Sequence, residues 1–217
     1  MTPAIALLLG ITFVLLIVVF VVVSRRKERE RTEALRRVAE TAGMAFEPKA
    51  DIAAVRSLGE VQLFARGHSK QVTNLMTGRL GDQQVAVFDY RYTIGSGKSQ
   101  RTDMQTVVLL PSAQNFLPDL QMVPENPLSR LWESFGYQDI DIESSPEFSR
   151  RYIVRGADEA AIRAALYPGA TSYFAEHEGW TVEVQSGTVG IYRGDNRPKP
   201  DDMRTFIDEA CAAARSL

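Results

Sequence analysis

The sequence predicts an α+β protein in which an N-terminal transmembrane helix is followed by a soluble domain of antiparallel hairpins packed with helices. Three observations carry this. The first 23 of 217 residues hold no charged side chain, and 4–23 reads AIALLLGITFVLLIVVFVVV. From residue 61 onward, apolar residues recur at period 2 in runs separated by turn residues, which is hairpin patterning. Over 200–216 the apolar spacing changes to that of an amphipathic helix, which needs a sheet or another helix to bury its stripe.

The twenty residues of 4–23 would reach ~30 Å at the helical rise, the thickness of a bilayer core. Met1-Thr2-Pro3 is uncharged and Val23 leads straight into Ser24-Arg25-Arg26, so the segment lacks the basic leader and small-residue cleavage site of a signal peptide and reads as an anchor. Arg25, Arg26, Lys27, Arg29, Arg31, Arg36 and Arg37 stand against Glu28, Glu30 and Glu33, a net +4. The positive-inside bias then predicts 1–3 outside, a span over 4–23, a basic juxtamembrane helix over 24–43 and a cytoplasmic domain over 44–217, either as one unit or as subdomains 44–125 and 126–217. The lone Cys211 and the lack of an Asn-x-Ser/Thr sequon agree with that side.

In the juxtamembrane helix, Leu35, Val38, Ala39 and Ala42 share one stripe and Gly43 supplies the stop. A short helix follows over 51–58. Strands are predicted at 61–64, 72–80 and 83–93, the last two joined by Gly81-Asp82. Ala86, Phe88, Tyr90 and Tyr92 fall on one face of that hairpin and so pack on a core. After a flexible connection, 104–110 reads as an interior strand ended by Pro111. The pattern continues with strand 119–123, helix 127–135, strands 139–143 and 149–154, helices 158–167 and 171–178, and the hairpin 180–185 and 188–193 about Ser186-Gly187. In the final helix Met203, Phe206, Ile207, Ala210, Cys211 and Ala214 share the buried stripe, which makes Cys211 a core thiol.

Candidate chemistry is sparse. With 45% hydrophobic residues the chain can fold, and its net charge of −6 beyond residue 37 excludes a nucleic-acid surface. Gly95-Ser96-Gly97-Lys98-Ser99 imitates a phosphate loop, but the first glycine of that motif would fall on Tyr92, and a strand follows Ser99 where a helix should. His68 and His177 stand outside any Ser, Cys or metal-ligand arrangement, and Asp139, Asp141 and Glu143 along a strand are too widely spaced to cage an ion. No catalytic, cofactor-binding or metal residue is assigned. Between Leu131 and Ser149 five acids occur with no base, a docking surface for a basic protein partner.

The stretches GHSKQVTNLMTGRLGDQQVAVFDYRYTIGSGKSQ, QTVVLL and PEFSRRYIVRGADEAAIRAAL resemble an uncharacterised family of bacterial single-span membrane proteins. The resemblance implies bacterial origin and an anchored architecture, and no activity; with the predicted span it gives an inner-membrane protein as the expectation. The leading expectation is a non-catalytic interaction or scaffolding module that tethers a partner at the cytoplasmic face. Two alternatives stand beside it: a membrane-tethered enzyme built around His68, Asp89 and Arg91, and a module that contacts anionic lipid through Arg25, Arg26, Lys27 and Arg29.

Overall fold

The computed structural model describes residues 3–112, 117–125 and 139–217, with side chains from residue 11 onward. Helix α1 (Pro3–Thr41) runs unbroken for 39 residues, about 58 Å at the helical rise. Continuity follows from composition, because the Arg, Lys, Glu and Ala that succeed the apolar stretch are all strong helix formers. Gly43 ends the helix at φ +68°, which lets the Met44 amide donate back to Ala39 O at 2.8 Å and caps the last turn.

The remaining elements, in chain order, are β1 (Ala45–Ala50), α2 (Ile52–Arg56), β2 (His68–Leu80), β3 (Gln83–Ile94), β4 (Arg101–Pro111), β5 (Leu120–Pro124), α3 (Pro146–Ser149), β6 (Tyr152–Gly156), α4 (Glu159–Ala165), α5 (Pro168–Glu176), β7 (Thr181–Gln185), β8 (Thr188–Tyr192) and α6 (Met203–Arg215). The strands form one eight-stranded sheet in the order β1-β2-β3-β4-β8-β7-β5-β6, and every neighbouring pair is antiparallel. One sheet therefore runs through both halves of 44–217.

Each sheet face carries its own core. On one, Leu35 and Ala39 of α1 and the buried stripe of α6 join Val87, Val108, Val182, Ile191 and Trp180. Cys211 lies in this layer as a buried free thiol, and burial pushes its pKa up. On the other face, Val55, Val61, Leu63 and Phe64 cover Ala86, Phe88, Tyr90 and Tyr92. The aromatic row is thus interior, with Tyr90 stacked on Tyr92 at 5.5 Å and edge-on to Phe64 at 5.5 Å.

Among the described residues, no helix is long and apolar enough to cross a membrane. This corrects the expected transmembrane span over 4–23, the single-pass inner-membrane placement derived from it and the orientation with the N-terminus outside. From Ile11 to Val23 the described side chains are apolar apart from Thr12. Four charged residues, Arg25 to Glu28, then follow in succession.

Other departures are local. Residues 61–64 form no strand; Gln62–Ala65 is a 3-10 turn laid over the sheet, and Gly190 beneath it has no side chain because a Cβ there would come within 2.7 Å of Val61. Strand β1 was not anticipated, since Glu47-Pro48-Lys49 breaks the apolar alternation and only an edge position tolerates the proline. Residues 139–143 keep the expected alternation, with Ile140 and Ile142 buried and the three acids exposed, but form no strand. Part of 149–154 is helix α3, and β6 begins at Tyr152. The expected helix over 127–135 lies outside the described residues.

Candidate functional site

Helix α1 presents two surfaces in succession. From Ile11 to Val23 it is an apolar arm: Phe20 is 72% exposed, Phe13 65% and Leu16 64%, and exposed residues occur on every side of the helix. The following turn carries a basic collar, with Arg25, Arg26, Lys27 and Arg29 all exposed. Glu30 answers Arg26 at 2.8 Å, a surface pair one helical turn apart.

Immediately beyond the collar the helix is seated on the sheet by a buried ionic cluster. Asp89 is the inward-facing carboxylate of β3, placed opposite Thr106 of β4 by the strand register. Arg31 donates to both its oxygens, Nε to Oδ2 and Nη2 to Oδ1, each at 2.9 Å, and Nη1 donates to Pro198 O at 2.6 Å. The Thr106 hydroxyl donates to Oδ1 at 2.7 Å, and Asn74 Nδ2 donates to Oδ2 at 2.9 Å. Asn74 reaches the carboxylate from the left-handed region, at φ +56°, where the β2–β3 register shifts between Thr73 and Met76. Such a backbone state is uncommon outside glycine but available to Asn.

Arg197, in the connection from β8 to α6, completes the cluster. Its Nη2 donates to Asp89 Oδ2 at 3.1 Å, and its two terminal nitrogens grip Glu28 of α1 at 2.9 and 2.8 Å. The Thr106 amide holds the same connection by donating to Asn196 O at 2.9 Å. Burial alone would raise the Asp89 pKa, but the hydrogen bonds and charges of Arg31 and Arg197, with Thr106, outweigh it and hold the carboxyl below its ordinary value. Glu28 is also lowered, chiefly by its hydrogen bond from Arg197.

A second network lies under the opposite core. Glu183 of β7 is fully buried and accepts from Arg66 Nη2 at 2.8 Å, the Leu63 amide at 2.7 Å, the Tyr192 hydroxyl at 2.9 Å and Gln121 Nε2 at 3.1 Å. It pins the 3-10 turn to the sheet and is enclosed. A shallow groove of about 350 Å³ between α1 and the start of α6 is lined by Ala34, Val38, Ala42 and Pro200, with Arg37 and Arg204 at its rim.

The residues considered for an enzyme are not brought together. Asp89 is occupied beneath α1, Arg91 is exposed, and exposed His68 lies within hydrogen-bond distance of Ser69 Oγ and Gly95 O. His177 stacks on Tyr173 at 4.2 Å between ring centres. Gly97–Ser99 is a 3-10 turn in the β3–β4 connection, followed by strand. Asp139 accepts from the Val154 amide, and among the described residues no group of three or more His, Cys, Asp or Glu is placed to hold a metal ion. Sequence reasoning missed Arg31, Arg197, Asn74 and Thr106 as a unit. One signal was present: Asp89 shares a strand face with Val85 and Val87, where an unpaired carboxylate could not be tolerated.

No family model and no curated protein matches the sequence. Among solved structures, the chain is similar to the crystal structure of the mycobacterial trehalose monomycolate transport factor A, TtfA, with 12% sequence identity and a TM-score of 0.59, over 88% of this chain and 92% of that one. At that identity the likeness is one of fold.

Proposed function

We propose that this chain is a non-catalytic factor in lipid transport that works by holding lipid at the arm and collar of α1. The observation that carries the reading is the exposed apolar arm Ile11–Val23 continuing into exposed Arg25, Arg26, Lys27 and Arg29. A helix apolar all round has no single face to offer a globular partner; it calls for apolar surroundings on every side. Burying such surface is worth about 25 cal/mol per Å², and a cation beside an anionic lipid surface about 1 kcal/mol. The shared fold supports the same reading, since the similar structure is that of a protein named for the transport of a glycolipid. The chemistry is recognition and tethering.

Flotation of the full chain with phosphatidylcholine vesicles, with and without phosphatidic acid, tests this. The chain is expected to float with both and more completely with the anionic vesicles, and the double substitution Phe13→Glu/Phe20→Glu is expected to abolish flotation while leaving the far-UV spectrum of the sheet unchanged. Retention of the unaltered chain at the bottom of both gradients would overturn the proposal.

A further inference from the structure

The fork of Arg197 is filled by a carboxylate of the chain itself, and that carboxylate is poorly protected. Glu28 is 55% exposed at its side chain, whereas Arg197 is 16% exposed. The two-pronged grip of 2.9 and 2.8 Å is the geometry by which a guanidinium binds a phosphate as readily as a carboxylate. Arg25 precedes Glu28 by three positions and Arg31 follows it by three, so helical periodicity puts both on the face of α1 that carries Glu28. Three arginines therefore surround one half-exposed acid. Arg31 is fixed on Asp89, while Arg25 has no ion-pair partner among the described residues. Arg197 also retains a buried Nε without a hydrogen-bond partner, a donor that the present arrangement leaves unused.

We infer that Glu28 is a displaceable internal stand-in for the phosphate of an anionic phospholipid headgroup, which binds between Arg197, Arg31 and Arg25 when the Glu28 side chain swings out. The lipid source follows from position, because Arg25 comes two residues after Val23, the last residue of the exposed apolar arm, so a headgroup at this site has its acyl chains beside that arm. Two anions cannot share the fork, so Glu28 sets a threshold: sparse anionic lipid leaves it in place and dense anionic lipid displaces it. This inference rests on the lipid-binding reading above and adds the headgroup class and the residues that recognise it.

Vesicle flotation of the full chain, titrated with phosphatidic acid in phosphatidylcholine, separates this site from simple charge attraction. Glu30→Gln removes an equal charge from the same helix but frees only an exposed pair, and is expected to tighten binding about fivefold. Glu28→Gln is expected to tighten it about fiftyfold, because it also frees a fork whose charge-assisted bonds contribute the further factor. Arg197→Lys, which retains the charge on Asp89 but lacks the fork, is expected to reduce the Glu28→Gln gain to that of Glu30→Gln. Equal gains for the two glutamate variants, or a gain indifferent to Arg197→Lys, would overturn the site while leaving the lipid-binding reading intact. Failure of every form to bind either vesicle would overturn both. Titration with inorganic phosphate, followed by the Arg Nε–Hε resonances, fixes the source: a response of Glu28→Gln to soluble phosphate without a vesicle gain would overturn the lipid headgroup as ligand.

Discussion

Arg31 of helix α1 grips Asp89 of strand β3 with two nitrogens, each 2.9 Å from a different carboxylate oxygen, although 58 residues separate them in the chain. The Asp89 side chain is 4% exposed and that of Arg31 12%, so both charges are largely withdrawn from water. Asp89→Ala is therefore expected to destabilise the protein by about 3–5 kcal/mol, because it leaves the Arg31 guanidinium under the helix without its carboxylate, while Arg197 keeps Glu28. Replacing Asp89 and Arg31 together by leucine is expected to cost less than the sum of the single changes. Urea unfolding of the four proteins of that cycle checks both statements.

The same carboxylate gives stability an acid limb. Its folded pKa lies below its ordinary value, so its contribution is fully present above about pH 4 and is lost as the pH falls through the depressed folded value. Glu28 acts in the same direction. The gap in urea midpoint between the unaltered protein and Asp89→Asn should consequently be widest near neutrality and narrow as acid protonates Asp89. A gap of constant width from about pH 7 to about pH 2 would show that the Asp89 charge does not carry the effect.

Asn74 separates two contributions that usually travel together. Its φ of +56° disfavours any residue with a Cβ, and its amide donates to Asp89 at 2.9 Å. Asn74→Ala loses the hydrogen bond and keeps the unfavourable backbone, at a cost of about 2–3 kcal/mol, whereas Asn74→Gly loses the bond but relieves about 1 kcal/mol of backbone strain. Glycine, the smaller residue, is thus expected to be the milder substitution. Thermal unfolding of the two variants gives the order, and the reverse order would mean that the bulge relaxes on mutation.

Legibility of the fold in the sequence followed the range of the interactions. Hairpins and helix stripes depend on neighbours one or two turns away, so the β2–β3 pair, the β7–β8 pair about Ser186-Gly187 and the buried face of α6 could all be read from spacing. Strand β1 could not, because it lies at an edge and its pattern owes more to its partner β2 than to its own alternation. The 3-10 turn over Val61 was misread as strand because apolar runs are alike whether they pair or plug. The ionic cluster was least legible, since Arg31, Asn74, Asp89, Thr106 and Arg197 come from five separated segments and only Asp89 stood out against its surroundings. The expected membrane span rested on the apolar run 4–23 alone, and among the described residues no helix is long and apolar enough to cross a membrane.

Glu183 provides the counterpart on the far face. Its carboxylate is fully buried and accepts four hydrogen bonds, of which those from Arg66 and the Leu63 amide tie the 3-10 turn Gln62–Ala65 to β7. Glu183→Gln keeps the shape but removes the counter-charge of an arginine that is only 8% exposed, and is expected to destabilise by about 3–5 kcal/mol. The loss should first loosen the turn that roofs the aromatic row, because Phe64 and Leu63 are carried by that turn and the strands below retain their own ladder. Hydrogen exchange can separate local from global loss. Faster exchange of the Leu63 and Phe64 amides, with the Phe88 and Tyr90 amides still protected, is the expected result. Uniform acceleration across β3 would instead make Glu183 a determinant of the whole sheet.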